Sequence, residues 1–205
     1  AAGSGIGQEI ARVLALAGAT VIATDIDPDG LAMTRDKIEA AEGQVTCRTL
    51  DVSSRKDVEA TADFAVAETG RLDIWVNCAG ISPIHSILET DQQVAERTVA
   101  VNSLGTYWGC MAAGRVMGSR GGGSIINISS AGGAKPVPNL AVYGMTKASV
   151  NSLTWTAATE FGPMGIRVNA IAPGWIETPA MNVLFQDENG RFDPARRDNM
   201  HAEMA

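Results

Sequence analysis

A parallel β-sheet wound doubly, with helices on both faces, is the fold class this sequence predicts, and three observations carry it. Short apolar runs, most of them rich in Val and Ile, alternate with stretches of helical periodicity along the 205 residues. A glycine-rich turn opens the first helical stretch. Several strand-like runs end in Asp, Asn or Ser, and parallel strands gather such ends at one edge of the sheet. Alternation of this kind requires right-handed crossovers, which place helices on both faces.

Composition is consistent with one α/β domain spanning residues 1–205. A hydrophobic content of 45% with 19% charged residues belongs to a chain that folds and buries a core. The net charge of −7 argues against a surface that tracks nucleic-acid phosphates, so no nucleic-acid partner is expected. No apolar run approaches the roughly 20 residues of a membrane span, and no basic-then-apolar leader precedes the first motif. The expectation is a cytoplasmic protein without a membrane partner. Cys47, Cys78 and Cys110 are odd in number and lack metal-ligand spacing. They read as small apolar side chains in a reducing compartment, and no metal is expected.

The first helical stretch, residues 6–17, follows Gly3-Ser4-Gly5-Ile6-Gly7. A helix N-terminus offers free N–H groups and a positive dipole, which suit a pyrophosphate. Glycines let the backbone approach the anion. Alone, such a turn equally serves as a plain strand–helix connection. The strand at 19–24 leads into Asp25, twenty residues after Gly5, where a nucleotide-binding sheet places an acid for the ribose hydroxyls. Asp27 precedes Pro28 and is the better cap for the helix at 29–41, which leaves Asp25 for the ribose. A carboxylate there repels a 2′-phosphate, and no arginine directly follows it. Both features favour NAD over NADP.

The strand at 44–50 runs into Asp51-Val52, and the helix at 56–69 follows. The strand at 72–77 ends in Asn77-Cys78-Ala79-Gly80. Taken singly these are turn or cap residues; their shared edge of the sheet gives them weight. Residues 91–117 read as one helical run containing Asn102, whose amide competes with backbone hydrogen bonding. Asn102 is an exposed helix position, a buried amide satisfied locally, or a polar group that interrupts the helix and holds a water. After a turn at 118–123 comes the strand at 124–129, followed by Ser130. Tyr143 and Lys147 lie four apart in the helix at 141–161 and share a face. An ammonium beside a phenol favours the phenolate. Bringing a phenol from its ordinary pKa of about 10 to neutrality needs roughly 4 kcal/mol. Lys147 and a cationic nicotinamide in a water-poor site supply interactions of that size. The last strand is 166–171, and 186–192 is a polar loop.

The sequence begins inside the glycine turn and stops within a helical stretch at 193–205. It therefore reads as a doubly wound, Rossmann-like domain lacking its first and last strands. A gap is expected beside the strand that ends at Asp25, and the chain as written is expected not to be a competent enzyme.

In order, the glycine turn, Asp51-Val52, Asn77-Cys78-Ala79-Gly80, Asn102, Ser130, Tyr143-x-x-x-Lys147 and Pro173-Gly174 resemble the short-chain dehydrogenase/reductase family in its compact single-domain branch. The resemblance runs from residue 1 to about 181; the family has glycine where Ala1 stands. It implies an oxidoreductase that moves hydride between NAD(H) and a secondary alcohol or ketone. It implies Tyr143 as general acid/base, Lys147 lowering its pKa and holding the nicotinamide ribose, Ser130 polarising the reacting oxygen, and Asn102 anchoring a relay water. Asp51 would bind adenine, with Val52 beside it. Asn77, Ala79 and Gly80 would support the cofactor loop. Pro173, Gly174, Ile176 and Thr178 would frame the nicotinamide, the last two holding its carboxamide. Pocket candidates are residues 82–86, including His85, residues 137–140 and Trp175, with 181–185 as a lid. The family commonly assembles as homotetramers or dimers through the two long helices. Alternatives are an NADP-dependent 3-oxoacyl thioester reductase and a non-catalytic NAD-binding regulator.

Overall fold

The computed structural model describes residues 1–178, 185, 189 and 191–198. Its first helix, α1 (Gly5–Leu16), buries the small residues Gly7, Ala11 and Ala15. The strand β1 (Thr20–Asp25) follows, then α2 (Pro28–Glu39). The Asp27 carboxylate accepts the Asp29 N–H at 3.0 Å, and Pro28 fills the first helical turn, as the sequence implies. The next elements are β2 (Gln44–Thr49), α3 (Arg55–Thr69) and β3 (Ile74–Asn77). Gly70 ends α3 in the left-handed region, φ 79°, where a side chain would be strained.

The run at 91–117 is not one helix. It divides into α4 (Gln92–Val99), one π-helical turn (Ala100–Leu104) and α5 (Gly105–Gly118). Asn102 lies in the π turn and is fully buried. Then come β4 (Gly123–Ile128), α6 (Ala141–Phe161) and β5 (Ile166–Ile171). Elsewhere element boundaries differ from the sequence reading by only one or two residues, because helix ends and strand edges carry no sharp sequence signal.

The strands β1 to β5 pair in parallel. Two strands, β1 and β2, pair from Thr20 opposite Gln44 to Asp25 opposite Thr49. Three more form a second sheet in the order β3-β4-β5. Between the two sheets lies a cleft of about 400 Å³, lined by Thr20–Thr24 on one side and Ile74–Val76 on the other. This is the gap expected beside the strand ending at Asp25. The Ala2 N–H donates to the Thr24 carbonyl at 2.8 Å, so the chain meets β1 at its C-terminal end.

The main core joins Cys110, Ala113 and Met117 of α5 to Ile125, Ile166, Val168 and Ala157. A second cluster joins Leu50, Val58 and Ala62 to Ala112 and Val116. Close approach of α5 to β3 requires Gly109, where a Cβ would collide with the Asn77 amide. Among the described residues no helix is long and apolar enough to cross a membrane.

Candidate active site

Every sequence-derived site residue within the described part lies at the C-terminal edge of a strand, on a helix facing that edge, or in a turn beside it. Gly5 adopts φ 52° at the start of α1, a conformation that favours glycine. Ser4 makes no side-chain capping bond, so the first-turn N–H groups of Gly5, Ile6 and Gly7 remain directed at the turn. Gly7 packs where a Cβ would collide with the Ala1 carbonyl. This cradle fits an anionic pyrophosphate.

Asp25 is less free than the sequence reading supposed. Its Oδ2 accepts the Gly3 N–H at 2.8 Å and its Oδ1 accepts the Asp27 N–H at 3.0 Å. Partial burial pushes the carboxyl up, but N–H donation from Asp27, Gly3 and Ile26, with the nearby amine of Ala1, outweighs it and holds the group below the usual range. Each oxygen keeps a further lone pair, enough to receive two vicinal hydroxyls.

Asp51 follows β2. Its Oδ1 accepts from the Ser53 N–H and hydroxyl at 2.9 and 2.7 Å, and Arg97 of α4 stands 3.4 Å from its Oδ2. These contacts overcome partial burial and keep the carboxyl ionised below its ordinary range. Val52 packs against Gly105 at the start of α5, where a Cβ would meet its side chain at 2.8 Å.

The Asn77 side chain turns back into the sheet. It accepts from Trp75 Nε1 at 2.7 Å and donates to Asn127 Oδ1 at 2.8 Å, and Asn127 donates on to Thr154 of α6 at 3.0 Å. The Asn77 side chain therefore ties β3 to β4 just before the segment Ala79-Gly80. At Gly80 a Cβ would sit 3.3 Å from Lys147 Nζ and 3.5 Å from Asn102 Oδ1. The Asn102 amide accepts the Ile81 N–H and donates to the Ile81 carbonyl, both at 2.9 Å, and donates to the Thr146 hydroxyl at 3.0 Å.

Ser130 caps a short 3₁₀ turn, its Oγ accepting the Gly132 N–H at 3.1 Å, which leaves the hydroxyl proton for another acceptor. A single point beside Gly132 lies 3.5 Å from Ser130 Oγ and 3.6 Å from both Tyr143 Cε1 and Val137 Cγ2. The structure thus brings Ser130, Tyr143 and an apolar wall together. Lys147 is 4% exposed; its Nζ donates to the Ile128 carbonyl at 2.7 Å and stands 5.7 Å from the Tyr143 ring centre. Burial pushes its ammonium down to about 8, so at neutral pH it still carries its charge.

Beyond β5, the Pro173 carbonyl accepts the Ala131 N–H at 2.9 Å, tying Pro173-Gly174 to the serine turn. The Thr178 side chain lies against Gly5, with Trp175 and Ile176 exposed between. The His85 N–H donates to the Asn139 carbonyl at 3.0 Å, so the two pocket candidates 82–86 and 137–140 meet. The lid expectation, residues 181–185, lies outside the described residues except for Phe185.

A family model described as enoyl-(acyl carrier protein) reductase matches residues 1–203. The chain belongs to the short-chain dehydrogenase/reductase family. It is 41% identical, over 93% of its length, to 2-keto-3-deoxy-L-fuconate dehydrogenase of Xanthomonas campestris pv. campestris, and spans 61% of that relative. It resembles an NAD⁺-bound xylitol dehydrogenase with TM-score 0.83 and 30% identity, covering 86% of this chain and 68% of the other. It also resembles an NADP-bound ElxO with TM-score 0.82 and 33% identity, covering 87% and 72%.

In this family member four polar residues escaped the sequence reading. Arg97 lies 46 positions from Asp51 and reads as an ordinary surface charge on α4. Asn127 and Thr154 sit within a strand and a helix at positions that sequence assigns to apolar core. Thr146 carried the one usable signal, since it lies on the Tyr143–Lys147 face of α6.

Proposed function

We propose that this protein transfers hydride between NAD(H) and a secondary alcohol or its ketone, with Tyr143 as general acid/base. The observation that carries this reading is the convergence of the Ser130 hydroxyl, the Tyr143 ring and the buried Lys147 ammonium at one edge of the sheet. The nicotinamide, when bound, accepts or returns the hydride. The Ser130 hydroxyl donates to the substrate oxygen and fixes it beside Tyr143. In the oxidation direction the Tyr143 phenolate takes the hydroxyl proton; in reduction the phenol gives it back. Lys147, itself almost fully buried, holds positive charge near the phenol, and burial strengthens such an interaction. Asn102 holds the neighbouring loop and the relay water.

Gly3, Ser4, Gly5, Ile6 and Gly7 would hold the pyrophosphate, Asp25 the adenine ribose, and Asp51 with Val52 the adenine. Asn77, Ala79 and Gly80 would support the middle of the dinucleotide. Pro173, Gly174, Ile176 and Thr178 would frame the nicotinamide, with Lys147 on its ribose. NAD is favoured over NADP because Asp25 presents an ionised carboxylate where a 2′-phosphate would sit. The proposed state is a cytoplasmic homo-oligomer; its assembly is supported by exposed apolar residues on the π turn, α5 and α6: Leu104, Tyr107, Met145 and Trp155.

A second reading, an NADP-dependent 3-oxoacyl thioester reductase, draws on the acyl-carrier-protein description of the matching family model. Both readings are tested, here and in the kinetic experiments below on the chain with strand-forming residues joined ahead of Ala1 to fill the cleft, by dinucleotide absorbance over a panel of polyols, hydroxy acids, hydroxysteroids and hydroxyacyl thioesters, with each cofactor and with Tyr143→Phe as control. NAD-dependent oxidation of a secondary alcohol by the wild type alone supports the first. Turnover confined to thioesters with NADP supports the second.

A further inference from the structure

We propose that Thr146 is a positioning residue for proton transfer, holding the Asn102 amide in place through a hydroxyl anchored on the backbone of Tyr143. The proposal rests on the reading of Tyr143 as general acid/base. Thr146 is 1% exposed and lies on the face of α6 that carries Tyr143 and Lys147. Its single hydroxyl proton is donated to the Tyr143 carbonyl at 2.7 Å. That bond fixes the hydroxyl rotor and turns a lone pair toward Asn102, whose Nδ2 donates to it at 3.0 Å.

The consequence reaches Lys147. With one amide proton on Thr146 and the other on the Ile81 carbonyl, Asn102 is held at both Nδ2 protons while its Oδ1 receives the Ile81 N–H. The clamped amide fixes Gly80-Ile81, and Gly80 lies directly against the lysine Nζ. Thr146, Asn102 and Gly80-Ile81 therefore form one connected wall that keeps water from the ammonium. The π turn at Ala100–Leu104 places Asn102 opposite α6, and the Thr106 hydroxyl secures its backbone carbonyl at 2.8 Å. Without the Thr146 hydroxyl, one proton of a fully buried amide has no partner, and the amide is free to turn.

Packing alone makes the opposite forecast for two substitutions. Thr146→Val keeps the shape and methyl groups and removes the hydroxyl, whereas Thr146→Ser keeps the hydroxyl and removes a methyl. If the residue only fills space, the serine variant is the more damaged. If it positions Asn102, the valine variant is. The experiment is kcat for alcohol oxidation, with KM for NAD measured alongside. Thr146→Val is expected to lower kcat about tenfold, with KM for NAD within about twofold. Thr146→Ser should stay within about threefold of wild type, and the valine exchange should cost less than about twofold in an Asn102→Ala background. A serine variant worse than the valine variant, a KM for NAD that rises as much as kcat falls, or independent effects of the two sites would overturn the proposal. If Thr146→Val does not fold by circular dichroism, Thr146→Ala is held to the same outcomes. Tyr143→Phe separates the two claims. Retained turnover there removes the functional reading itself, whereas collapse there with a normal Thr146→Val removes only the role of Thr146.

Discussion

Lys147→Met should remove activity and simultaneously change how stability responds to pH. Lys147 is 4% exposed, and its ammonium is pushed down to about 8 by burial, against an ordinary 10.5. Between those two values the unfolded chain binds a proton that the folded chain does not. Wild-type stability therefore rises with pH across that window, by about 3 kcal/mol in total, since each pH unit corresponds to about 1.4 kcal/mol. Below pH 8 the buried charge destabilises the fold by the same amount. Methionine has similar length and no proton to lose. It also leaves the Ile128 carbonyl without its donor, at a cost of about 1–3 kcal/mol that does not vary with pH. At pH 7 the two effects nearly cancel, and the variant should be as stable as wild type or somewhat more so. By pH 10.5 wild type should have gained about 3 kcal/mol relative to the variant. Urea unfolding of both proteins at pH 7, 8, 9 and 10 measures this directly, because other titrating groups cancel in the difference. A difference that stays constant over the series would show that Lys147 is hydrated and that the dry-site argument fails.

Two further outcomes follow from the cofactor edge and the cleft. Wild type should show at least about tenfold higher kcat/KM with NAD than with NADP, and Asp25→Ala should lose most of that preference by weakening NAD. Equal or better use of NADP by the wild type would remove Asp25 from the discrimination. The facing edges of β1 and β3 present backbone groups to the cleft, and each such group left unpaired away from water costs about 1–3 kcal/mol. Joining about six strand-forming residues ahead of Ala1 is therefore expected to raise the unfolding midpoint by several degrees. An unchanged midpoint would mean that these edges need no partner.

Much of the fold was legible because its signals are local. Five strands and the helices between them appear as apolar runs and periodic stretches. The Asp27-Pro28 cap was readable from two adjacent residues, and β5 and α6 have the expected bounds. Tyr143 and Lys147 were readable for the same reason, since four residues on a helix fix a shared face. The unreadable part is non-local. The exchange between Asn77, Asn127 and Thr154 joins two strands and a helix through partners 50 and 27 residues apart. Arg97 meets Asp51 only because α4 returns over the end of β2. Asp25 was read as free because its hydrogen bond from Gly3 depends on how the glycine turn folds back over β1. Asn102 shows the boundary between the two kinds: its sequence signalled an interruption, but the partners Ile81 and Thr146 emerge only in three dimensions.

The central claim is that Tyr143 exchanges the proton while Lys147 and Ser130 hold the phenol and the substrate oxygen. Tyr143→Phe removes one oxygen and keeps the ring that lies near Lys147. The most direct measurement is alcohol-dependent formation of NADH by this variant and by wild type, with NADH binding followed by its fluorescence. The account predicts that kcat falls by roughly a hundredfold to ten-thousandfold while NADH affinity changes by less than about threefold. A variant that turns over within about tenfold of wild type, with the same pH profile, would contradict it.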